Sequence, residues 1–301
     1  MKIMVAEYAV GGGADKSDSL LREGKAMLAT LKGSFERTGN EVISPVAEDD
    51  FEAAVDTLSK ESDAGIVIAP DEELCQLTKL VELNTVNLGC PSECVKICAD
   101  KKRTTEVLGE NGIPVPRIVP EEEREEEGAK GVYVKKPRYG CASEDVFIVN
   151  GRETYEDDNN QDYIVTEFIK GEDISSSLVV GTSSVLPLTI NKQLIRVDGG
   201  RLHYEGGEVP FFMGEEAEKE VIRISKKVAA ALHCKGYVGI DFVFGEDGQA
   251  YVVDVNPRPT TSVVGIAKVL KYEIADLILR AKFGTLPREV KTEGHFIFKL
   301  S

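Results

Sequence analysis

Apolar residues in the first third of the chain follow two rhythms. Lys2-Ile3-Met4-Val5-Ala6 and Ala64 to Ala69 are short, nearly continuous apolar runs, the pattern of strands buried on both faces of a parallel sheet. Val42-Ile43 and Thr85 to Leu88 are shorter runs of the same kind. Between them the spacing is helical. One helix starts at Ser17 or Asp18 and runs to about Thr38, where Gly39 closes it. A second carries Phe51, Ala54, Val55 and Leu58 on one side. A third runs from a capping Asp71 to about Leu83. This alternation predicts a small doubly wound α/β unit over residues 1–91. Ligands of such sheets sit beyond the carboxyl ends of the strands, which here means Glu7, Tyr8 and the loop Gly11-Gly12-Gly13. The loop lacks G-x-G-x-x-G, which argues against a dinucleotide. It is either an anion-binding helix start or a plain connection.

The pattern changes after residue 91. Ser92 to Asn111 reads as one helix, with Lys101, Lys102 and Arg103 following Asp100, and Gly112 to Pro116 ends it. Strands are predicted at Gly131 to Pro137, Asp145 to Val149, Tyr163 to Ile169, 174–180 and 184–190. The small-residue loop Arg138 to Glu144, with lysines at its base, can fold over phosphates or be an ordinary hairpin. The acidic run Pro120 to Glu127 reads as a solvated turn or helix face. Gly199-Gly200 and Gly206-Gly207 bracket a predicted loop with His203 and Tyr204. Glu215 to Leu232 is an amphipathic helix with Val221, Ile224, Val228 and Leu232 on one side. Thr261 to about Lys282 is helical, followed by an extended tail.

The most informative stretch is Gly236 to Ser262. Tyr237 to Phe244 and Ala250 to Val255 are strand-like, and Glu246-Asp247-Gly248-Gln249 carries a hairpin signal. A turn centred between Asp247 and Gly248 sets Asp241 opposite Asp254, with Asn256 on the same face. Opposed carboxylates repel at roughly 5 Å between Cβ atoms, so the pairing implies a hard cation such as Mg²⁺ or Mn²⁺ unless this face is simply solvated. Pro257 ends the strand and Arg258 adds a fixed cation beside it.

Composition narrows the function. The chain has 301 residues, enough for two or three compact units. Its net charge of −16 argues against general nucleic-acid or anionic-membrane binding. No run of about 18 apolar residues and no signal-peptide pattern is present, so a cytoplasmic protein is expected. Six cysteines do not make a disulfide framework. Cys90, Cys94 and Cys98 are spaced four and four, but Cys90 precedes Pro91 and lies outside the helix, and no fourth metal ligand is evident. They read as buried small hydrophobes.

Taken in order, these pieces resemble the ATP-grasp family over about residues 92–283. They are Asp100-Lys101 before a helix, Lys136-Pro137 before a small-residue loop, Glu167-Phe168-Ile169 then Gly171-Glu172-Asp173, and Asp241-Phe242-Val243 paired with Asp254-Val255-Asn256-Pro257-Arg258. The resemblance implies a pre-ATP-grasp α/β domain at 1–91. The two-subdomain ATP-grasp domain then spans 92–301, its small subdomain about 115–168 and its large one about 169–283. It implies that Lys101 and Lys136 hold phosphates, with Lys135 as the fallback for the second. It places adenine on Glu167, Phe168 and Ile169, ribose on Glu172, two Mg²⁺ or Mn²⁺ ions on Asp241, Asp254 and Asn256, and the transferred phosphoryl group on Arg258. The family usually has glutamate where Asp254 stands. The implied reaction forms an amide from a small carboxylate and an amine through an acyl phosphate, with ATP converted to ADP and phosphate. Homodimers are common in the family.

Within the family, Glu7-Tyr8-Ala9, Leu188 to Gln193 and Asn256 to Ser262 are similar to archaeal ligases of methanofuran biosynthesis that join the γ-carboxylate of glutamate to tyramine. That subgroup would put Glu7, Tyr8, Asn191 and Lys192 near the two substrates. Ligases of another acid, phosphoryl transfer without amide formation and a non-catalytic ATP-binding regulator remain as alternatives.

Overall fold

A computed structural model describes residues 1–13, 18–47, 50–120, 123, 131–140, 145–150 and 163–300. The first unit is built from β1 (Lys2–Glu7), α1 (Asp18–Arg37), β2 (Glu41–Ile43), α2 (Phe51–Lys60), β3 (Ala64–Ile68), α3 (Asp71–Asn84) and β4 (Val86–Asn87). Its sheet runs β2-β1-β3-β4 with every pair parallel. β1 and β3 are almost wholly buried, as their unbroken apolar sequence requires. α2 opens on Asp50, whose carboxylate accepts from the Ala53 N–H at 3.0 Å. α3 does not open that way. Its cap is Pro70, and Asp71 makes no cap bond, which leaves the buried Asp71 carboxylate for another use.

The predicted helix over 92–111 is two helices, α4 (Ser92–Ala99) and α5 (Lys101–Glu110). They break at Asp100, which turns extended and caps α5 by accepting from the Arg103 N–H at 3.1 Å. An Asp that caps competes with continuing the helix through it. Pro91 precedes α4, so Cys90 does lie outside it.

The remainder forms one nine-stranded sheet: β5 (Val132–Pro137), β6 (Phe147–Asn150), β7 (Tyr163–Glu167), β8 (Gly171–Val180), β9 (Val185–Asp198), β10 (Arg201–Val209), β11 (Gly236–Gly245), β12 (Ala250–Asn256) and β13 (Phe296–Lys299). The order is β12-β11-β8-β9-β10-β6-β5-β7, with β13 also on β10. The predicted glycine-bracketed loop is therefore a strand, β10. Gly199 and Gly200, both at positive φ, make the hairpin turn from β9, and Gly206 is a close-approach site where β13 passes. β10 meets β6 through the single pair Arg201–Phe147, so β5, β6 and β7 hang from the larger sheet by a narrow connection.

The predicted helix over 261–282 is also two, α7 (Val263–Val269) and α8 (Ile274–Phe283), and the tail after it becomes β13. α6 (Glu215–Ala231) covers one face of β8 and β9 with Val221, Ile224 and Val228, all fully buried. α8 packs against β8, β11 and α1, tying the first unit to the second. No helix among the described residues is long and apolar enough to cross a membrane. The acidic run 120–127 and the loop residues 141–144 lie mostly or wholly outside the described residues.

Candidate active site

Asp241 stands opposite Asp254 in the β11–β12 pair. The turn is centred on Asp247, half a residue from the expected point, so Phe244 pairs with Ala250 and Phe242 with Val252. A β-bulge then adds Val253 to β12 and restores the Asp241–Asp254 pairing. The bulge also keeps the apolar side of the strand in phase: Val252 and Val255 are both in the core, while Asp254 and Asn256 share the other face. The extra residue has a use. Lys136 Nζ donates to the Val253 carbonyl at 2.7 Å.

Each Asp241 oxygen accepts one amide hydrogen bond, Oδ1 from Gln193 at 2.9 Å and Oδ2 from Asn256 at 3.0 Å. Even so, burial pushes its pKa up to about 7, and Asp254 adds to that, against the two amides and Arg258. Three oxygen-bearing side chains, two of them carboxylates opposed across the strand pair, could hold a hard divalent cation. Asn256 gives its N–H to Asp241 and keeps its carbonyl oxygen for such an ion.

Three cations converge on this pair. Lys136 is buried and its pKa is pushed down to about 8, by burial first, with Lys101 adding to the effect while Asp254 and Asp241 oppose it. Lys101, at the start of α5, donates to the Gly140 carbonyl and lies 3.7 Å from Asp71. Burial raises the Asp71 carboxyl to about 6, with Asp254 adding and Arg258 and Lys101 opposing. The first unit thus supplies a carboxylate to the site from the carboxyl edge of its sheet. Arg258 donates from Nη1 to the Pro259 carbonyl at 3.3 Å, and its buried Nε has no partner among the described residues. Lys135 points away from this cluster, with Nζ 4.7 Å from the centre of the Tyr163 ring.

The predicted nucleoside residues lie along the chain where β7 passes into β8. Glu167 ends β7 and accepts from Arg117 Nε at 2.8 Å, and its backbone N–H donates to the Arg117 carbonyl. Phe168 follows, exposed, and Ile169 is half-buried. Glu172 on β8 accepts from Lys192 Nζ at 2.6 Å.

Lys192 and Asn191 are adjacent on β9 and therefore face opposite ways. Lys192 reaches Glu172, whereas Asn191 lies beside Ser175 (Nδ2 to Oγ, 3.1 Å) in the row that contains Asp241. The structure separates these two predicted substrate residues. The buried Asn191 Oδ1 and Thr189 Oγ1 have no partner among the described residues. Glu7 and Tyr8 sit at the edge of the first sheet. The Glu7 carboxylate accepts from the Val10 N–H at 2.7 Å, and Tyr8 meets the Phe51 ring edge-on. The N–H groups of Gly11 and Gly13 are taken by the carbonyls of Glu7 and Tyr8; residues 14–17, which lead to the helix start, lie outside the described residues.

Four residues join the site that the strand patterns did not single out: Gln193 on Asp241, Asp71 on Lys101, and Tyr204 and Glu23. Tyr204 is half-buried, its phenol pKa raised by loss of solvent and then by the charges of Asp241 and Glu23. Glu23 accepts from Thr261 Oγ1 at 2.7 Å. A separate cavity of about 360 Å³, lined by Asn87, Thr182, Lys235 and Lys282 among others, contains none of the predicted site residues.

Residues 98–262 match the model of the ATP-grasp domain. The chain is 29% identical to the tyramine–L-glutamate ligase of Methanocaldococcus jannaschii over 99% of its own length and 94% of the relative. It is 27% identical to the enzyme of that name from Methanocaldococcus fervens, over 92% and 93%. Among solved structures it is similar to an ATP-grasp superfamily protein from Archaeoglobus fulgidus, with a TM-score of 0.76 and 25% identity over 99% of this chain and 98% of that one.

Proposed function

The chain belongs to the ATP-grasp family, and from that premise we propose that it is an ATP-dependent ligase joining L-glutamate to tyramine. The observation that carries the ligase reading is the meeting of Asp241, Asp254 and Asn256 with Lys101, Lys136 and Arg258 at one place. A triphosphate bound with divalent cations needs both signs of charge in this arrangement. The choice of glutamate and tyramine rests on the two relatives, which match nearly end to end.

Asp241, Asp254 and Asn256 would hold the cations, which when bound neutralise the triphosphate oxygens and polarise the γ-phosphate. Lys101 and Lys136 hold phosphate oxygens; in their absence the Gly140 and Val253 carbonyls occupy the two ammonium groups. Glu167, Phe168 and Ile169 take the adenine and Glu172 the ribose hydroxyls. The substrate carboxylate attacks the γ-phosphate to give an acyl phosphate and ADP. Arg258, with its unpartnered Nε, spreads the charge on the transferring group. The amine then attacks the acyl carbon, phosphate leaves, and the amide forms. No covalent attachment to the protein is required, so positioning and electrostatics supply the rate. Glu7 and Tyr8 at the sheet edge, and Asn191 in the same cross-strand row as Asp241, would contact the acid or the amine.

The test is ADP release with ATP and Mg²⁺ in the presence of glutamate alone, tyramine alone, or both, with the product mass measured. Release requiring both, and a γ-glutamyltyramine mass, is the expected result. Release with glutamate and a different amine keeps the ligase and discards tyramine. Nucleotide binding without ADP formation across a panel of acids and amines overturns the ligase reading.

A further inference from the structure

A second cluster of chemistry lies outside the nucleotide site. Cys90, Cys94 and Cys234 are each nearly fully buried, and their Sγ atoms all lie within 4.8 Å of one another. They come from three separate places: the loop after β4, helix α4, and the turn between α6 and β11. Cys94 Sγ is 3.6 Å from Cys234 Sγ. Thiolates arranged tetrahedrally at a Zn–S distance of ~2.3 Å have sulfur–sulfur edges of roughly 3.8 Å. Cys98 is one turn along α4 on the same face as Cys94 and interacts with its thiol. Cys90 Sγ donates to the Lys235 carbonyl at 2.8 Å and accepts from the Lys235 N–H at 3.4 Å, so the turn that carries Cys234 also holds Cys90. The turn that delivers Cys234 is tightly specified. His233 and Gly236 are both at positive φ, and a Cβ at Gly236 would lie 2.4 Å from the Leu88 carbonyl oxygen.

We propose that Cys90, Cys94 and Cys234, the three sulfurs that lie mutually within 4.8 Å, bind one thiophilic d¹⁰ metal ion, for which Zn²⁺ is the probe. Soft thiolate sets select such ions and not the hard cations of the nucleotide site. Each thiol that ligates the ion gives its proton to solvent as the ion binds. Because the site is enclosed, the ion enters as the chain folds. It would clamp α4, which leads into Lys101, to the start of β11, which carries Asp241. The site is independent of the identity of the ligase substrates.

The full-length protein, produced in zinc-supplemented medium and desalted, is assayed for zinc by mass spectrometry. About one equivalent per chain is expected. Cys94→Ser and Cys234→Ser should lose it. Cys75→Ser, whose thiol donates to the Ser92 carbonyl, and Asp254→Asn should retain it. Where a serine variant does not fold, refolding the wild type with Co²⁺ gives the second reading, a thiolate-to-cobalt charge-transfer band in the near ultraviolet. Three results overturn the proposal: zinc below about a tenth of an equivalent with no cobalt band, zinc unchanged in a folded Cys94→Ser protein, or a Cys94–Cys234 disulfide in the native peptide map.

Discussion

Replacing Asp241 with Asn should stabilise the protein in the absence of divalent cations and abolish its catalysis. Burial and the opposed Asp254 push the Asp241 pKa up to about 7. Holding a carboxylate neutral to about pH 7 rather than to about pH 4 corresponds to ~4 kcal/mol between its two forms. The folded state retains a proton in that window that the unfolded chain has released. Wild-type stability therefore falls as pH rises from about 4 to about 7, and above that the full cost of ionising Asp241 is present.

Asn is neutral throughout, but it cannot accept from both Gln193 and Asn256 unless one amide turns over, which offsets about 1 kcal/mol. A net gain of about 1–3 kcal/mol is expected at about pH 8, and little or none near pH 4–5. Asp71, raised in the same way, titrates in both proteins and cancels in the difference. The chain has no Trp, so urea unfolding followed by far-ultraviolet circular dichroism in EDTA is the assay, at both pH values. With Mg²⁺ and ATP the order should reverse, because the wild type gains binding energy that the variant lacks. A variant less stable than wild type at both pH values, by the same amount, would refute the account of Asp241 as a carboxylate strained by burial and by Asp254.

Three other outcomes are expected. Lys136→Met should lower ATP turnover by on the order of 10²-fold and Lys135→Met by less than about tenfold, measured as ADP release; the reverse order would move the phosphate role to Lys135. Asp254→Asn should lower turnover by on the order of 10²-fold or more, and a rate near wild type would remove Asp254 from the metal site. Gly236→Ala should cost about 2 kcal/mol or more of unfolding free energy, since the residue sits at φ +64° with its Cβ position pressed against the Leu88 carbonyl; an unchanged urea midpoint would contradict that packing.

Local pattern carried much of this protein. The buried strands β1 and β3, the amphipathic α6 and the carboxylate pair across the β11–β12 hairpin were all legible, because alternation and burial leave direct marks in sequence. Breaks inside long helical patterns were not. Asp100 reads equally well as a surface residue of one helix or the cap of the next, and the side chain's choice depends on tertiary context. The position of Asp71 in the sequence fits a helix cap, yet the partner of its carboxylate, Lys101, belongs to another helix. Gln193 reaches Asp241 only because β9, β8 and β11 are neighbours in that order, and spacing along a strand says nothing about which strands lie two apart. Cys234 is the same case: the cysteines of α4 showed their period, but the thiol that meets them is 140 residues away.

The bulge at Val253 separates two things that a strand normally couples. Delete that residue, and Phe242–Val252 would be followed directly by Asp241–Asp254 in a regular ladder. The carboxylates would still face each other, and Val252 and Val255 would still point into the core. What would vanish is one carbonyl, the one that holds Lys136. In ladder terms the residue is surplus. Its carbonyl engages the Lys136 ammonium, the place a phosphate would take under the proposed function, so a one-residue deletion would isolate the cost of leaving that lysine unparked.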